Sequence, residues 1–369
     1  MSTGVTQLPG PHQATPRRPG GRVALVLAAL AVAAVVAFVT AVAVGSVSIP
    51  LGQTVRALGG GGTADPRLDV LVRDVRAPRA VTAAMVGAAL GAAGLITQTL
   101  FRNPLAEPYV LGVSSGAGLG VAVYVTAGTG AIALFTDGNV IAGSGLGRLG
   151  TLTAAAIGAS SVLALVLTLS RWTRSTVTLL VVGVMLGSLV TSLVSLLLVW
   201  ADPRVAYQYL QWGLGSVDGV APADLPLPLA VLALGVLTVA ALAKPLDALL
   251  LGDDYATTMG VGVRRVRAAV LVVAAVLAGT VTVYCGPVGF LGIAVPHLAR
   301  LLVGTSRHRV LLPATLLTGA LVGLVCAIAG HPPGTPTVIP LNVVTSLVGA
   351  PVVIVVLLRS RRLAAGAIG

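Results

Sequence analysis

Residues 73–120 read RDVRAPRAVTAAMVGAALGAAGLITQTLFRNPLAEPYVLGVSSGAGLG, two long apolar runs separated by one short polar loop. The first run, 81–100, is long enough to cross roughly 30 Å of hydrocarbon as a helix. The charged, proline-containing loop after it does not suit the lipid interior. In the second run Gly112, Gly116 and Gly120 recur every four residues, which places them on one helix face open to a close neighbour. The stretch predicts two membrane spans packed as a tight hairpin around a polar turn.

The composition indicates a polytopic membrane protein. Of the 369 residues, 56% are hydrophobic and 9% are charged, and the mean hydropathy is +1.00, whereas soluble domains average about 25% charged residues. Apolar runs recur from residue 23 to residue 358 without a polar interval long enough for a soluble module. Cys285 and Cys326 lie inside such runs, where a thiol behaves as a small hydrophobic group. One integral domain without a disulfide framework is therefore expected.

Ten runs are long and apolar enough to be spans. They cover residues 23–44, 81–100, 109–127, 151–170, 177–200, 226–243, 266–284, 288–303, 310–329 and 339–358. The eighth is the least regular, because Pro296, His297 and Arg300 interrupt it. We expect a disordered cytoplasmic tail at 1–21, a ten-span domain at 22–362 and a short tail at 363–369. The first run exceeds the about 7 to 15 apolar residues of a signal peptide, the rival interpretation.

The net charge of +12 is explained by orientation in the membrane. With ten spans, 16 of the 23 arginine and lysine residues fall on one side with 4 acidic residues, and 7 fall with 7 acids on the other. Basic residues concentrate in cytoplasmic loops, so both termini are expected in the cytoplasm. A nucleic-acid surface would cluster its charge on one soluble face, and no nucleic-acid partner is predicted.

Several motifs in order along the chain resemble one transport family. Residues 76–120 read R-x-P-R, then Gln98 before L-F-x-N-P-L-A-x-P, then L-G-V-S-x-G-A-G, and residues 286–300 read G-P-x-G-F-x-G-x-x-x-P-H-x-x-R. Residues 340–351 fit as well. This pattern, covering roughly 20–360, is similar to that of the FecCD family, the permease subunits of ABC importers for ferric siderophores, haem and cobalamin. The resemblance implies an all-α integral membrane protein of about ten transmembrane helices with the type II ABC importer permease fold.

The resemblance also assigns roles to residues. Those expected to pack within the family motifs are Gln98, Pro104, Gly112, Gly116, Pro287, Gly289, Pro296 and His297. A cytoplasmic gate is expected from the loop after the second span and the start of the fifth span. Its candidates are Asn103, Leu105, Ser175 and Thr176. From the residues alone, the loop could be a simple turn, and Ser175 and Thr176 could be helix caps.

On the outer side, the family uses arginines to meet acidic residues of a binding protein. Arg76 and Arg79 occupy the matching positions, although a surface arginine could equally anchor to lipid phosphate. A third docking arginine is missing, and His331 stands near its place. Asn342 replaces a usual glycine. These departures leave both a homodimer and a heterodimer with a second permease chain open.

The segment 246–263, LDALLLGDDYATTMGVGV, is expected to hold a short helix that begins at Asp253 and Asp254 and ends at Gly260. The resemblance makes it the coupling helix that docks in a groove of the ATPase, although it could be an ordinary amphipathic loop helix. The residues of this prediction are Leu251, Gly252, Asp253, Asp254, Ala256, Met259 and Gly260.

The chain itself is expected to be non-catalytic. A phosphate-cradling loop needs a lysine before Ser or Thr, and Lys244 is followed by Pro245. ATP and Mg are therefore assigned to two cytoplasmic ATPase subunits, with no cofactor in this chain. The four histidines lie on separate segments and predict no metal site. The resemblance places this chain in the plasma membrane. It adds two further partners, a second permease chain and an extracytoplasmic siderophore-binding lipoprotein.

The expected cargo is a ferric siderophore, with haem or cobalamin as alternatives. A proton-coupled secondary transporter is a different class, and it would need an ionisable residue inside a span. No Asp, Glu or Lys lies well inside a proposed run. A membrane enzyme would need acidic catalytic loops, and the acidic residues here are sparse and scattered.

Overall fold

The computed structural model describes residues 19–63, 65–127, 146–172 and 176–365, and these residues form helices and connecting loops. The helices are α1 (Pro19–Ala43), α2 (Leu51–Leu58), α3 (Pro66–Val70), α4 (Ala77–Phe101), α5 (Val113–Ala127), α6 (Leu146–Trp172), α7 (Thr176–Val199), α8 (Pro203–Gly213), α9 (Pro226–Ala241), α10 (Ala243–Leu249), α11 (Asp253–Thr258), α12 (Val263–Cys285), α13 (Leu291–Val303), α14 (His308–Gly330) and α15 (Leu341–Ala365). A π-helical turn, Leu71–Arg76, joins α3 to α4, and 3-10 turns lie at Pro108–Leu111 and Pro222–Asp224.

Each of the ten predicted spans corresponds to a helix. Within the described residues, seven helices are long and apolar enough to cross a membrane, and three shorter apolar helices are α5, α13 and Leu341–Pro351 of α15. The prediction of an all-α multi-pass protein is confirmed. The boundaries differ at both ends: α1 begins at Pro19, inside the expected tail, and α15 continues to Ala365. The short helix α8 was not predicted, and most of residues 1–21 lie outside the described part.

The helix α4 forms the centre of the bundle. In its most apolar window 89% of the residues are buried, against 11% for α1. Small residues permit this position, since a Cβ at Gly87 would overlap the backbone of Gly319 in α14, and one at Gly94 would overlap Gly292 in α13. The backbones of three helices therefore meet at van der Waals distance, as small residues allow in membrane proteins.

The glycines of α5 do face a close helix, but that helix is not α4. Cβ atoms at Gly116 and Gly120 would overlap the backbone of Gly158 and Ala154 in α6. Gly112 precedes α5 and ends the 3-10 turn with a left-handed φ of 73°, and it lies against Val162 of α6 and the backbone of α7. The predicted tight packing of the second span against the third is therefore wrong. The spacing of the glycines indicates that a close neighbouring helix exists, but it does not show which helix that is.

The two ends of the bundle carry different short elements. We call the end with α10 and α11 the α11 side, and the end with α2 and α3 the α2 side. The polar segment before α4 forms the two short helices α2 and α3. Asp65 caps α3, with its carboxylate accepting a 2.9 Å hydrogen bond from the backbone nitrogen of Arg67.

Candidate functional site

On the α2 side, Arg76 is buried and holds the end of α1. Its side chain is 2% exposed, and its Nη1 donates to the carbonyl oxygens of Val42 and Ala43 at 3.0 and 2.9 Å. The last carbonyl groups of a helix lack partners within it and carry partial negative charge. The guanidinium of Arg76 therefore caps α1.

Arg79 lies beside Arg76 and connects three segments. It is 8% exposed, donates to the carbonyl of Ala41 at 3.2 Å and lies 3.7 Å from the carboxylate of Asp218. Both guanidinium groups face the protein, so the predicted outward orientation of Arg76 and Arg79 is corrected. The local sequence shows that Arg76 and Arg79 lie near the start of a helix. It does not show whether their side chains face solvent or the interior of the protein.

His331 belongs to the same network. Its Nε2 lies 3.0 Å from Oδ1 of Asp218 and its Nδ1 lies 2.9 Å from the carbonyl oxygen of Ala327. Both ring nitrogens of His331 thus face oxygen atoms. Asp218 consequently joins the loop after α8 to α4 through Arg79 and to the end of α14 through His331.

This network predicts a pH dependence of stability. Burial acts to raise the pKa of Asp218, but the hydrogen bond and charge of His331 and the charge of Arg79 outweigh it, and the pKa lies below its ordinary value. A lowered carboxyl pKa stabilises the fold above the ordinary value, about 4, and that stability is lost as the pH falls through the lowered pKa. Asp218→Asn should lower the free energy of unfolding at pH 6–7 by on the order of 1 kcal/mol, read as a lower melting temperature of the purified protein.

The difference between Asp218→Asn and the parent should shrink below about pH 4. Thermal unfolding in detergent across this pH range measures it, and Asp74→Asn, at an exposed position at the same end of the bundle, serves as a control. A difference that persists unchanged at low pH would contradict this role of the Asp218 charge.

On the α11 side, the short helix α11 begins at Asp253, as predicted, and ends at Thr258. Gly260 follows with a left-handed φ of 80°. Leu251, Tyr255 and Met259 are 66%, 53% and 60% exposed; Tyr255 lies within α11, and the other two residues flank its ends. We call these three residues the α11 ridge; the sequence prediction missed Tyr255.

Two residues at the start of α11 differ in orientation. Asp253 faces the bundle, 2.6 Å from Nη2 of Arg267 in α12 and 3.8 Å from Nη2 of Arg102 at the end of α4. Asp254 is exposed, whereas Ala256 is fully buried. Asp253 therefore anchors α11 to two membrane helices, while the ridge remains open for contact.

The predicted gate residues are only partly described. Oδ1 of Asn103 accepts a 2.9 Å hydrogen bond from the backbone nitrogen of Leu105, which closes a tight turn, and Leu105 is 39% exposed. Thr176 begins α7, but its side chain, like the whole of Ser175, lies outside the described residues. The gate remains a prediction.

The span after α12 is broken between Cys285 and Leu291. Gly286 and Phe290 both have left-handed φ angles, 74° and 68°, and the second is uncommon for a residue with a bulky side chain. The sequence placed the next helix start at 288; it begins three residues later because the residues 286–290 are not helical.

Three side chains accept hydrogen bonds from the broken segment. Oε1 of Glu107 accepts from the backbone nitrogen of Phe290 at 3.0 Å, Oδ1 of Asn342 accepts from that of Gly289 at 3.1 Å, and Oη of Tyr109 accepts from that of Val288 at 3.3 Å. Non-helical backbone between membrane helices needs such partners because lipid supplies none. Asn342, which departs from the family pattern, thus has a structural role.

We call these three hydrogen bonds to the broken segment the clamp. Substitution of Glu107 tests it most directly. Burial raises the pKa of its carboxyl group, while the hydrogen bond from Phe290 opposes that effect. Glu107→Leu should leave the amide of Phe290 unpaired and cost about 1–3 kcal/mol, read as a lower melting temperature. Glu107→Gln keeps an acceptor oxygen and should cost less. Equal melting temperatures for the Leu variant and the parent would contradict the clamp.

Gln98 ties the broken span to α4. Its Nε2 donates to the carbonyl oxygens of Gly292 and Ile293 at 3.4 and 3.3 Å, and its Oε1 accepts from Nη1 of Arg300 at 2.7 Å. Pro296 has no N–H to offer Gly292 in the helical pattern, so the Gln98 amide replaces that donor. The motif residues Gln98 and Pro296 are therefore brought together.

Other motif residues have separate positions. Nδ1 of His297 lies 3.0 Å from the carbonyl oxygen of Ile293, within its own helix. Pro287 precedes the clamped amides, and Pro104 lies in the turn after α4. Among the described residues, no group of three or more His, Cys, Asp or Glu side chains could hold a metal ion.

The central helix α4, the broken span and α11 all lie within one match to a protein family. The sequence model described as the FecCD transport family matches residues 31–359. The chain belongs to the FecCD family. It is the permease subunit of an ABC importer of this type, a multi-pass membrane protein whose family works with ATPase subunits and a second permease chain.

Named relatives agree with this assignment. The chain is 33% identical over 336 residues to the uncharacterized ABC transporter permease protein YvrB of Bacillus subtilis, covering 89% of this chain and 91% of YvrB. It is 33% identical over 300 residues to the hemin transport system permease protein HmuU of Yersinia pestis, covering 79% and 84%. It is 35% identical over 292 residues to the vitamin B12 import system permease protein BtuC of Klebsiella pneumoniae, covering 79% and 83%.

A solved structure shows the same fold. It is described as an inward-facing conformation of a putative metal-chelate type ABC transporter, with a TM-score of 0.78 and 27% identity, and the match covers 91% of this chain and 99% of that chain. The predicted type II permease fold is confirmed.

Proposed function

We propose that this FecCD permease imports ferric siderophores. The likeness over 91% of the chain to a transporter described as of putative metal-chelate type supports a metal-chelate cargo, and ferric siderophores, haem and cobalamin all belong to that class. Among them we propose the siderophore, the cargo that the sequence motifs led us to expect. Haem and cobalamin remain the alternative cargoes, favoured by the names of HmuU and BtuC.

In this proposal the α11 side is cytoplasmic and carries both termini, and α11 is the coupling helix. The α11 ridge would enter a groove of an ATPase subunit, and Asp253 would pass its movement to α4 and α12 through Arg102 and Arg267. Two ATPases bind and hydrolyse ATP with Mg, and this chain holds no cofactor. The gate at Asn103, Leu105, Ser175 and Thr176 would open towards the cytoplasm at the interface with the second permease chain.

The α2 side would receive an extracytoplasmic binding lipoprotein. Because Arg76 and Arg79 are buried, we assign its docking to exposed arginines of α2 and α3, Arg56 and Arg67. Charge pairing of this kind steers encounter and fixes orientation. His331, which contacts Asp218 at the same end of the bundle, would lie within the region that the lipoprotein covers.

Reversal of those charges tests the docking surface. The double variant Arg56→Glu, Arg67→Glu should weaken association with the binding protein about tenfold or more at low salt, and less at high salt where charges are screened. The matched Arg56→Lys, Arg67→Lys variant should bind normally. Unchanged affinity of the double Glu variant in a binding titration would refute this assignment.

Reconstitution tests the proposed function. The permease, its ATPase and its binding protein are placed in proteoliposomes, and uptake of iron-labelled siderophore, haem and cobalamin is compared with and without internal ATP. We expect ATP-dependent uptake of the siderophore. Uptake of haem or cobalamin without uptake of the siderophore would show that the proposed cargo is wrong.

The same vesicles distinguish a proton-coupled secondary transporter. Glu107 is partly buried beside the broken span, so the absence of acids from the apolar runs does not by itself exclude that class. Its carboxylate is engaged as a hydrogen-bond acceptor of the backbone, which favours a structural role. Uptake driven by a proton gradient with an inactivated ATPase would contradict the proposal.

A further inference from the structure

A polar pocket of about 410 Å³ opens on the α11 side, between the end of α4, the end of α10, α13 and the start of α14. Its wall contains two arginines, Arg102 and Arg300, together with two histidines and neutral side chains, and it contains no carboxylate. We call this the Arg300 pocket. Such a wall favours an anionic guest.

Arg300 is the cation in this pocket that lacks an acidic partner. Its Nη1 donates to the neutral amide oxygen of Gln98, and no carboxylate within the described ranges forms an ion pair with it. His308, by contrast, contacts Asp247 at 2.6 Å. A partly buried cation loses solvation unless an anion compensates. The pocket therefore has unmatched positive charge.

Arg102 adds to this charge. It lies 3.8 Å from Asp253, but that carboxylate is held more closely by Arg267 at 2.6 Å. Asp253 is thus shared by Arg102 and Arg267, and Asp247 is engaged by His308. A partner group that enters this pocket is therefore expected to be acidic.

The pocket is continuous with α11. Leu250, next to the α11 ridge, forms part of its wall, and Arg102 bridges from the wall to the first residue of α11. A protein that covers the ridge would also reach the pocket mouth. Continuity favours a side chain of the ridge's partner over a free phosphate or a lipid headgroup.

We propose that an Asp or Glu side chain of the ATPase subunit enters the Arg300 pocket and forms an ion pair with Arg300. This inference rests on the proposed function, in which the ATPase binds α11, and it adds a second, charged contact beside the apolar ridge. The ridge supplies burial of apolar surface, and the pocket fixes the register of the two subunits, since charged pairs contribute specificity.

A zero-length carbodiimide cross-link tests the contact. This reagent joins an amine to a carboxylate that touches it, and the chain has one native lysine, Lys244, which is first removed as Lys244→Arg. In that background, Arg300→Lys places an amine in the pocket, and Arg309→Lys places one on the exposed surface outside it as a matched control.

We expect the Arg300→Lys permease to couple to the ATPase in the assembled complex, with the link mapped by mass spectrometry to an Asp or Glu. The Arg309→Lys control should couple at most about a tenth as much. Cross-links that form only within the permease chain would overturn the inference. The same holds if no link to the ATPase forms and inorganic phosphate protects the introduced lysine from the reagent.

An affinity measurement keeps the test independent of the reagent. Arg300→Gln should weaken ATPase binding about tenfold, and the loss should diminish at high salt, whereas Arg309→Gln should bind as the parent does. Elution profiles on size exclusion verify that both variants fold. Normal affinity of Arg300→Gln overturns the pocket contact alone, whereas failure of the unmodified permease to bind its ATPase would refute the proposed function.

Discussion

Replacing Leu251, Tyr255 and Met259 together by serine is expected to reduce ATP-driven uptake at least about tenfold while leaving the permease folded. These side chains form the α11 ridge and are more than half exposed, so their loss costs the isolated chain little. Burying each such side chain against a partner contributes about 1.5–3 kcal/mol, and 1.4 kcal/mol corresponds to tenfold in affinity. Uptake into proteoliposomes and co-purification of the ATPase measure the effect.

The matched control is Thr257→Ser, also exposed on α11, which keeps the hydroxyl hydrogen bond to the carbonyl of Asp253. It should transport normally. Asp253→Asn gives a second comparison, because it weakens the anchor to Arg267 and Arg102 but leaves the ridge intact; ATPase binding should fall less than transport. Parental uptake by the triple serine variant would rule out α11 as the coupling contact.

Gly94→Val is expected to prevent accumulation of folded permease. A side chain at this position would overlap the backbone of Gly292, so α4 and α13 would have to separate. Overpacking a core costs about 1–3 kcal/mol when side chains can yield, and backbone cannot yield as easily. The separation would also remove the Gln98 hydrogen bonds to α13. Membrane expression and the melting temperature of any purified protein test this.

Gly213→Val is the control for the same substitution at an open site. A Cβ at Gly213 has no neighbour within 4 Å, so near-normal expression is expected. Gly87→Val should resemble Gly94→Val, because its Cβ would overlap Gly319 in α14. Wild-type levels and stability of Gly94→Val would show that the central contact of α4 is not tight.

Local sequence determined which segments form membrane helices. Runs of apolar residues identify spans because lipid requires each backbone polar group to be paired within its own helix. The start of α11 at Asp253 was also predicted correctly, since acidic residues favour a helix start and glycine a helix end. The family motifs likewise identified the FecCD permease, and each of these signals is contained in a short stretch of the chain.

Tertiary structure alone decided which groups meet. Glu107 and Phe290 are 183 residues apart, and Arg300 and Gln98 are 202 apart, so no local pattern pairs them. The same limit explains why Arg76 was expected to face outward and the α5 glycines to face α4. Residues 73–120 by themselves determine two helices, a polar turn and close packing somewhere. The direction of each arginine and the neighbour of each glycine depend on the other helices, because hydrogen-bonding and packing partners are chosen only when the bundle assembles.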